Sequence, residues 1–347
     1  MTSRKADIRL LEKDAIIAAF EAMNEKAFRG KQVYEWLWKK SATSFADMTN
    51  LSKSLREKMT ENFQLLPLAL HQSQFSNDGT IKSTFKLHDG HLIEGVLIPT
   101  DNRSTACVSS QVGCSLSCKF CATGYMTRMR NLDPGEIYDQ VVLLNQHSIT
   151  HLEGRPLSNI VFMGMGEPLL NYKNVMSAID KITSPEGLNI SPKRITVSTA
   201  GIAKMIIKLA DDDVKFNLAL SLHAANDAKR NTIMPINEQN NIEVLVDALN
   251  YFYEKTKGKI TFEYVLLAGV NDGLDDAKEL VELCKRVPAK VNIIEFNPID
   301  QANFESTELL NRNQFVEYLE QHRVTAVVRR SRGKDIDAAC GQLANKG

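Results

Sequence analysis

The segment "CVSSQVGCSLSCKFCATG", residues 107–124, places Cys114, Cys118 and Cys121 at a C-x3-C-x2-C spacing, with Cys107 upstream. Thiolates crowded this closely in a reducing compartment point to metal or redox chemistry, not to a disulfide framework. A structural zinc site normally takes four protein ligands, and no second cysteine pair or close histidine supplies the fourth. A [4Fe–4S] cluster is held by thiolates, one to each iron. Three cysteines in one loop leave one iron open, which is what a substrate-binding cluster needs.

Two cysteines lie elsewhere. Cys284, in "LVELCKRV", falls on the apolar stripe of a helical pattern and reads as core. Cys340, in "GKDIDAACGQLA", is a lone thiol flanked by Ala338, Ala339 and Gly341. Small neighbours let a backbone come close to something. Cys107, taken by its residues alone, is a buried strand cysteine.

The elements that must position these residues follow from periodicity. Residues 1–65 read as helical, with apolar residues three and four apart in "DAIIAAFEAMNEKAF" and "GKQVYEWLWKK". Residues 72–99 alternate apolar and polar around Asp-Gly steps at 78–79 and 89–90, the signature of antiparallel hairpins. From about residue 104, strand-like runs ("TACVSS", "NIVFMG", "RITVST", "FNLALSLH", "KITFEYVLL", "KVNIIEF", "VTAVVR") alternate with helical patterns. Repeating βα units predict an α/β fold with a parallel sheet, open or barrel-like. Function in such folds gathers at the C-terminal strand ends, where "GMGEP", "STAG", "SLH" and "FNP" fall.

These motifs resemble the radical S-adenosylmethionine (SAM) superfamily, whose members carry the same cysteine spacing and bind SAM to the open iron. Phe120 before the last cysteine matches, and "GMGEP", Gly164 to Pro168, resembles the strand end that contacts the SAM amino group. The resemblance is closer still to one family. "CVSSQVGCSLSCKFCATG", "FMGMGEPLLNY", "PINE", "FNP" and "DIDAACGQLA" together resemble the RlmN-type RNA methyltransferases of the RlmN/Cfr family, over almost the whole chain.

That resemblance implies a partial (β/α)6 radical SAM barrel, residues 104–347, ending in a tail with a methyl-carrier cysteine. A helical RNA-binding accessory domain, 1–65, and a β-hairpin connector, 66–103, precede it. It implies methylation at C2 of adenosine 2503 in 23S rRNA and of adenosine 37 in tRNA. Cfr-type relatives methylate C8 instead, and Pro168 in "GEPLLN" favours the C2 enzymes. Adenine C2 is electron-poor and cannot attack a sulfonium methyl, so the hard chemistry falls to a cofactor. In the implied mechanism Cys340 accepts a methyl from one SAM. A 5′-deoxyadenosyl radical made from a second SAM then converts it to a carbon radical that joins C2. Cys107 closes a disulfide onto Cys340 to release the product.

Glu94 matches the family's acceptor of the C2 proton. Alternation sets it on one face with Leu92 and Val96, although an edge-strand charge would look the same. The cluster ligands are Cys114, Cys118 and Cys121. SAM contacts carry over to Gly166, Glu167, Ser198, Ser221, Leu222, His223 and Asn297. By itself His223 would more often be a core histidine.

Composition bounds the partners. Lys plus Arg and Asp plus Glu are 42 each in 347 residues, so bulk charge does not drive nucleic-acid binding. Residues 1–60 nevertheless hold 12 Lys/Arg against 8 Asp/Glu, and Arg29, Lys31, Lys39 and Lys40 lie near Tyr34, Trp36 and Trp38. These would supply RNA backbone and stacking contacts, with at least one tryptophan in the core. The polar start predicts no secretory signal, and no apolar stretch is long enough to cross a membrane. The expected protein is a cytoplasmic monomer reduced by a donor such as flavodoxin. A folding factor with a structural cluster and a glycyl-radical activating enzyme are other readings, but neither gives Cys340 a task.

Overall fold

The computed structural model describes residues 5–345; positions 1–4 and 346–347 of the expected terminal segments lie outside the described residues. The chain opens with strand β1 (Ala6–Asp7), helices α1 (Lys13–Ala22), α2 (Ala27–Trp38) and α3 (Lys53–Asn62), and strand β2 (Phe63–Gln64), which pairs with β1. The run "DAIIAAFEAMNEKAF" is split between α1 and α2. Asn24 breaks it in the left-handed region, φ 61°, which asparagine tolerates better than most residues.

β3 (Ala69–Phe75), β4 (Ile81–Lys86) and β5 (Leu92–Thr100) form an antiparallel meander. Its two turns fall at the Asp-Gly steps, where Gly79 and Gly90 have φ of 83° and 87°. The meander is not a separate layer. β5 pairs antiparallel with β6 (Arg103–Cys107), so the hairpin strands extend the main sheet.

After β6 comes a small ladder of β7 (Gln111–Val112) with β8 (Arg130–Asn131), then α4 (Pro134–His151) and β9 (Asn159–Phe162). The βα alternation continues through α5 (Tyr172–Thr183), β10 (Ile195–Thr199), α6 (Ala203–Asp211), β11 (Asn217–Ser221), α7 (Asp227–Ile233) and α8 (Ile242–Thr256). It ends with β12 (Ile260–Leu266), α9 (Leu274–Arg286), β13 (Ala289–Glu295), α10 (Leu309–Gln321) and β14 (Ala326–Arg329). In the main sheet β6 and β9 to β14 pair in parallel and in chain order. Winding always in one direction curls such a sheet around an interior. Among the described residues β14 does not pair with β3, so the barrel is open. Every residue of β12 is buried, as expected for a central parallel strand covered on both faces.

The N-terminal helices sit directly on α4. Trp38 is fully buried and meets Tyr138 edge-on, with ring centroids 5.1 Å apart. Arg9 donates to Asp139 at 2.7 Å. Tyr34 and Trp38 therefore face inward and offer no stacking surface for a base. Trp36 is only partly buried, and Lys40 lies over its ring at 4.1 Å. Among the described residues no helix is long and apolar enough to cross a membrane.

Candidate active site

The C-terminal ends of the parallel strands surround one cavity, and Cys114, Cys118 and Cys121 all line it. Their loop is tightly folded. Gly113 is left-handed (φ 74°), and a Cβ there would meet Thr127 O at 2.2 Å. A Cβ on Gly124 would meet Cys118 O at 2.6 Å. Glycine is therefore required at both ends of the loop. All six cysteines are free thiols. Burial pushes Cys114 up to about 11 and raises Cys118 and Cys121 as well, so without a metal these thiols are neutral.

Among the described residues no three His, Cys, Asp or Glu side chains converge closely enough to hold one metal ion. Three thiols spread around a cavity suit a cluster instead, where each binds a different iron. The donor set thus fits a [4Fe–4S] cluster better than zinc.

Facing the cysteines are the strand-end motifs. Gly166 has φ of 93°, and a Cβ would lie 2.4 Å from Gln111 Cβ. Buried Glu167 accepts from Ala200 N at 2.7 Å and Leu169 N at 2.9 Å, and burial pushes its carboxyl up to about 7. Ser198 and Ser221 bring their hydroxyls to 3.4 Å of each other on the cavity wall. His223 accepts from Val265 N through Nδ1 at 3.0 Å. Burial lowers it to about 3, so the ring is neutral and carries its proton on Nε2. Phe120 packs against it edge-on at 4.6 Å. Asn297 also lines the cavity, and its buried Oδ1 has no partner. An orphan acceptor there suits a donor such as the adenine amino group of SAM. Leu222 differs from the rest. Its side chain is in the core, and its carbonyl is taken by Arg230 at 2.9 Å.

The C-terminal tail crosses this cavity. Ala122 N donates to Gly341 O at 2.7 Å, Thr123 Oγ1 to Leu343 O at 2.6 Å, and Asn297 Nδ2 to Cys340 O at 3.2 Å. Gly341, at φ 85°, brings the tail backbone against Phe120 O, which a Cβ would meet at 3.2 Å. Cys340 has free surface, but that surface faces the cavity it lines. Enclosure by protein pushes its thiol up to about 12, and Cys121, Cys107 and Glu263 raise it further.

Besides Leu222, two expected residues do not line the cavity. Cys107 is buried on β6 behind the wall, and burial pushes it up to about 12. Glu94 is fully buried on β5 beyond the tail. Its Oε2 accepts from Ala344 N at 2.9 Å and Asn345 N at 3.1 Å. Sequence reasoning missed Glu263 and Lys82. Glu263 lines the cavity from the middle of β12, with Oε1 held by Asn292 at 2.8 Å. Its signal was a lone carboxylate inside the apolar run "ITFEYVL". Lys82 gave a weaker one, as a charge in an otherwise ordinary alternating strand.

The family model described as "Ribosomal RNA large subunit methyltransferase N-terminal domain" matches residues 7–65, and that of the "Radical SAM superfamily" matches 108–284. A protein of Cytophaga hutchinsonii, named "Probable dual-specificity RNA methyltransferase RlmN", is 61% identical over 99% of this chain and 94% of its own. The chain belongs to the RlmN-type RNA methyltransferases. Other RlmN relatives agree. One from Christiangramia forsetii is 57% identical over 99% of this chain and 97% of its own. One from Anaeromyxobacter dehalogenans is 44% identical over 98% and 92%. The crystal structure of a radical SAM methyltransferase from Sphaerobacter thermophilus superimposes with a TM-score of 0.91 at 39% identity, covering 97% of this chain and 99% of that one. An RlmN-type enzyme of this superfamily uses a [4Fe–4S] cluster and SAM, and the expected α/β radical SAM fold is the fold observed.

Proposed function

We propose that this RlmN-type enzyme methylates C2 of adenosine 2503 in 23S rRNA and of adenosine 37 in tRNA, with Cys340 carrying the methyl. The observation that carries the reading is the tail itself. It brings a thiol from residue 340 into the cavity that holds the cysteine loop. An enzyme that passed the methyl directly from SAM would need no such thiol.

When bound at Cys114, Cys118 and Cys121, the cluster and SAM supply the radical chemistry and the methyl groups, two SAM per turnover. The chain's residues do the rest. Gly166 leaves room for the close backbone approach that SAM needs, and Glu167 accepts from its ammonium. Ser198, Ser221, His223 and Asn297 hold its ribose and adenine, while Leu222, whose amide and carbonyl are taken by Glu263 and Arg230, supports that wall from the core. Cys340 attacks as the thiolate, so it must first lose the proton that its enclosure favours. Cys107, a free thiol on β6 before the cysteine loop, is the resolving thiol that closes a disulfide onto Cys340. Glu94 acts as the proton acceptor once Ala344 and Asn345 release its carboxylate.

The helical segment 1–65 is the RNA-binding accessory unit, using Arg29, Lys31, Lys39, Lys40 and the half-buried Trp36. The hairpin, 66–103, links it to the radical SAM core, 104–347. The target base must be unstacked to enter the cavity, which favours RNA loops over duplex. A donor such as flavodoxin reduces the cluster in the cytoplasm. The test is nucleoside analysis after anaerobic reconstitution with SAM, reductant and unmodified RNA. 2-Methyladenosine supports the reading. 8-Methyladenosine, or no methylated base while SAM is still cleaved, overturns it.

A further inference from the structure

The hairpin strands β3 to β5 grip the tail on both sides of Cys340. Upstream of the thiol, Asp335 accepts from Ser76 Oγ at 2.5 Å and from Asn77 N at 3.1 Å. Gly333 N donates to Asp78 Oδ2 at 3.0 Å. Gly333 is left-handed (φ 67°), and a Cβ there would meet Ala338 Cβ at 2.7 Å and Thr80 Cγ2 at 2.9 Å, so the tail turns hard against the β3–β4 turn. Downstream, Glu94 takes the Ala344 and Asn345 amides, and Asn345 Nδ2 donates to Leu92 O at 2.8 Å.

Lys82 joins the two grips. It is 2% exposed, on β4, and its Nζ lies 3.6 Å from Glu94 Oε1 and 3.5 Å from Asp337 O. Register explains the reach. Lys82 pairs with Val96 and Thr84 with Glu94, so Lys82 and Glu94 are diagonal neighbours on one face. Glu94 Oε1 is buried and has no hydrogen-bond partner, so the Lys82 ammonium is what answers its charge. A buried lysine is tolerated only where an opposite charge and an acceptor meet it, and here both belong to the tail's anchorage.

We propose that Lys82 is a positioning residue. It fixes the Glu94 carboxylate against the tail amides and the Asp337 carbonyl against the hairpin, so that the segment between them presents Cys340 to the cavity. The hairpin is then a clasp for the tail as well as a link between segments. The consequence for turnover rests on Cys340 as methyl carrier; the clasp itself does not.

The test uses full-length, cluster-loaded protein. Lys82→Met should speed alkylation of Cys340 by iodoacetamide, read on its peptide by mass spectrometry, by about fivefold or more, and raise hydrogen exchange in the tail peptide. Lys82→Met should also slow single-turnover methylation of Cys340 about tenfold, with SAM affinity within twofold of the parent. Lys82→Arg, which keeps the charge, should restore most of each. Asp335→Ala opens the upstream grip from an exposed position, so it tests the clasp even if Lys82→Met does not fold. It should raise both Cys340 alkylation and tail exchange. The proposal is overturned if alkylation and tail exchange in the folded variants stay at parental levels. If both rise while single-turnover methylation of Cys340 is unaffected, the proposal that Lys82 positions Cys340 is overturned, and the reading of Cys340 as methyl carrier is judged separately by whether Cys340→Ala still methylates RNA.

Discussion

The two sides of the cavity are held by different means. The strand-end side, from Gly166 round to Asn297, is fixed by parallel ladders and the core beneath them. Among the described residues the tail has no strand or long helix after β14, only a single 3-10 turn at Lys334–Ile336. It is held by bonds to partners far away in sequence, such as Glu94 to Ala344 and Thr123 to Leu343. A ladder resists local opening because its bonds are cooperative, whereas a tail tied by separate bonds opens at lower cost. The strand-end side is therefore the more rigid, and the tail that carries Cys340 is the more easily released. A mechanism in which Cys340 must meet SAM, the base and Cys107 in turn needs that difference.

The comparison can be broken most completely on the rigid side. Cys118→Ser should abolish cluster loading, and with it SAM cleavage and methylation together, read as loss of the cluster's visible absorbance and of 5′-deoxyadenosine. Next in size, Cys340→Ala should abolish RNA methylation but leave cluster absorbance unchanged, which separates the tail's contribution from the cup's. Gly166→Ala is a milder insult to the cup. Its new Cβ meets Gln111 at 2.4 Å in a left-handed backbone, so SAM binding should weaken about tenfold and stability fall by about 1–3 kcal/mol. Titration calorimetry and a denaturant midpoint check the two parts.

The smallest effect sharpens the tail side. The Ser76 hydroxyl and the Asn77 amide hold the Asp335 carboxyl below its usual range. A depressed carboxylate gives its full contribution above the unfolded value, about 3.9, and loses it only as pH falls through the lower folded value. Between pH 5 and 8, tail hydrogen exchange, corrected for the intrinsic pH dependence of amide exchange, should therefore stay constant. A rise in that corrected exchange across the range would place the controlling group elsewhere.

Much of this was legible in order. The βα alternation, the three-cysteine spacing and one polar motif per strand end are local patterns, and each landed where periodicity set it. Asn24 was not legible, because a helix break by one left-handed asparagine leaves the apolar spacing intact. Nor was the inward turn of Tyr34 and Trp38, since an aromatic on a basic helix looks the same whether it faces RNA or α4.

By itself the sequence determined the family and the α/β fold, and it singled out the cysteine loop and Cys340 as the residues whose types and spacing could do chemistry. These rest on residue type and spacing along a few turns of chain. Only the tertiary structure decided that Cys340 faces the cysteine loop, that Cys107 and Glu94 stand back from the cavity, and that Lys82 closes the clasp. Those are contacts across up to about 250 residues of chain. They depend on which strands become neighbours, and no spacing within one element encodes that.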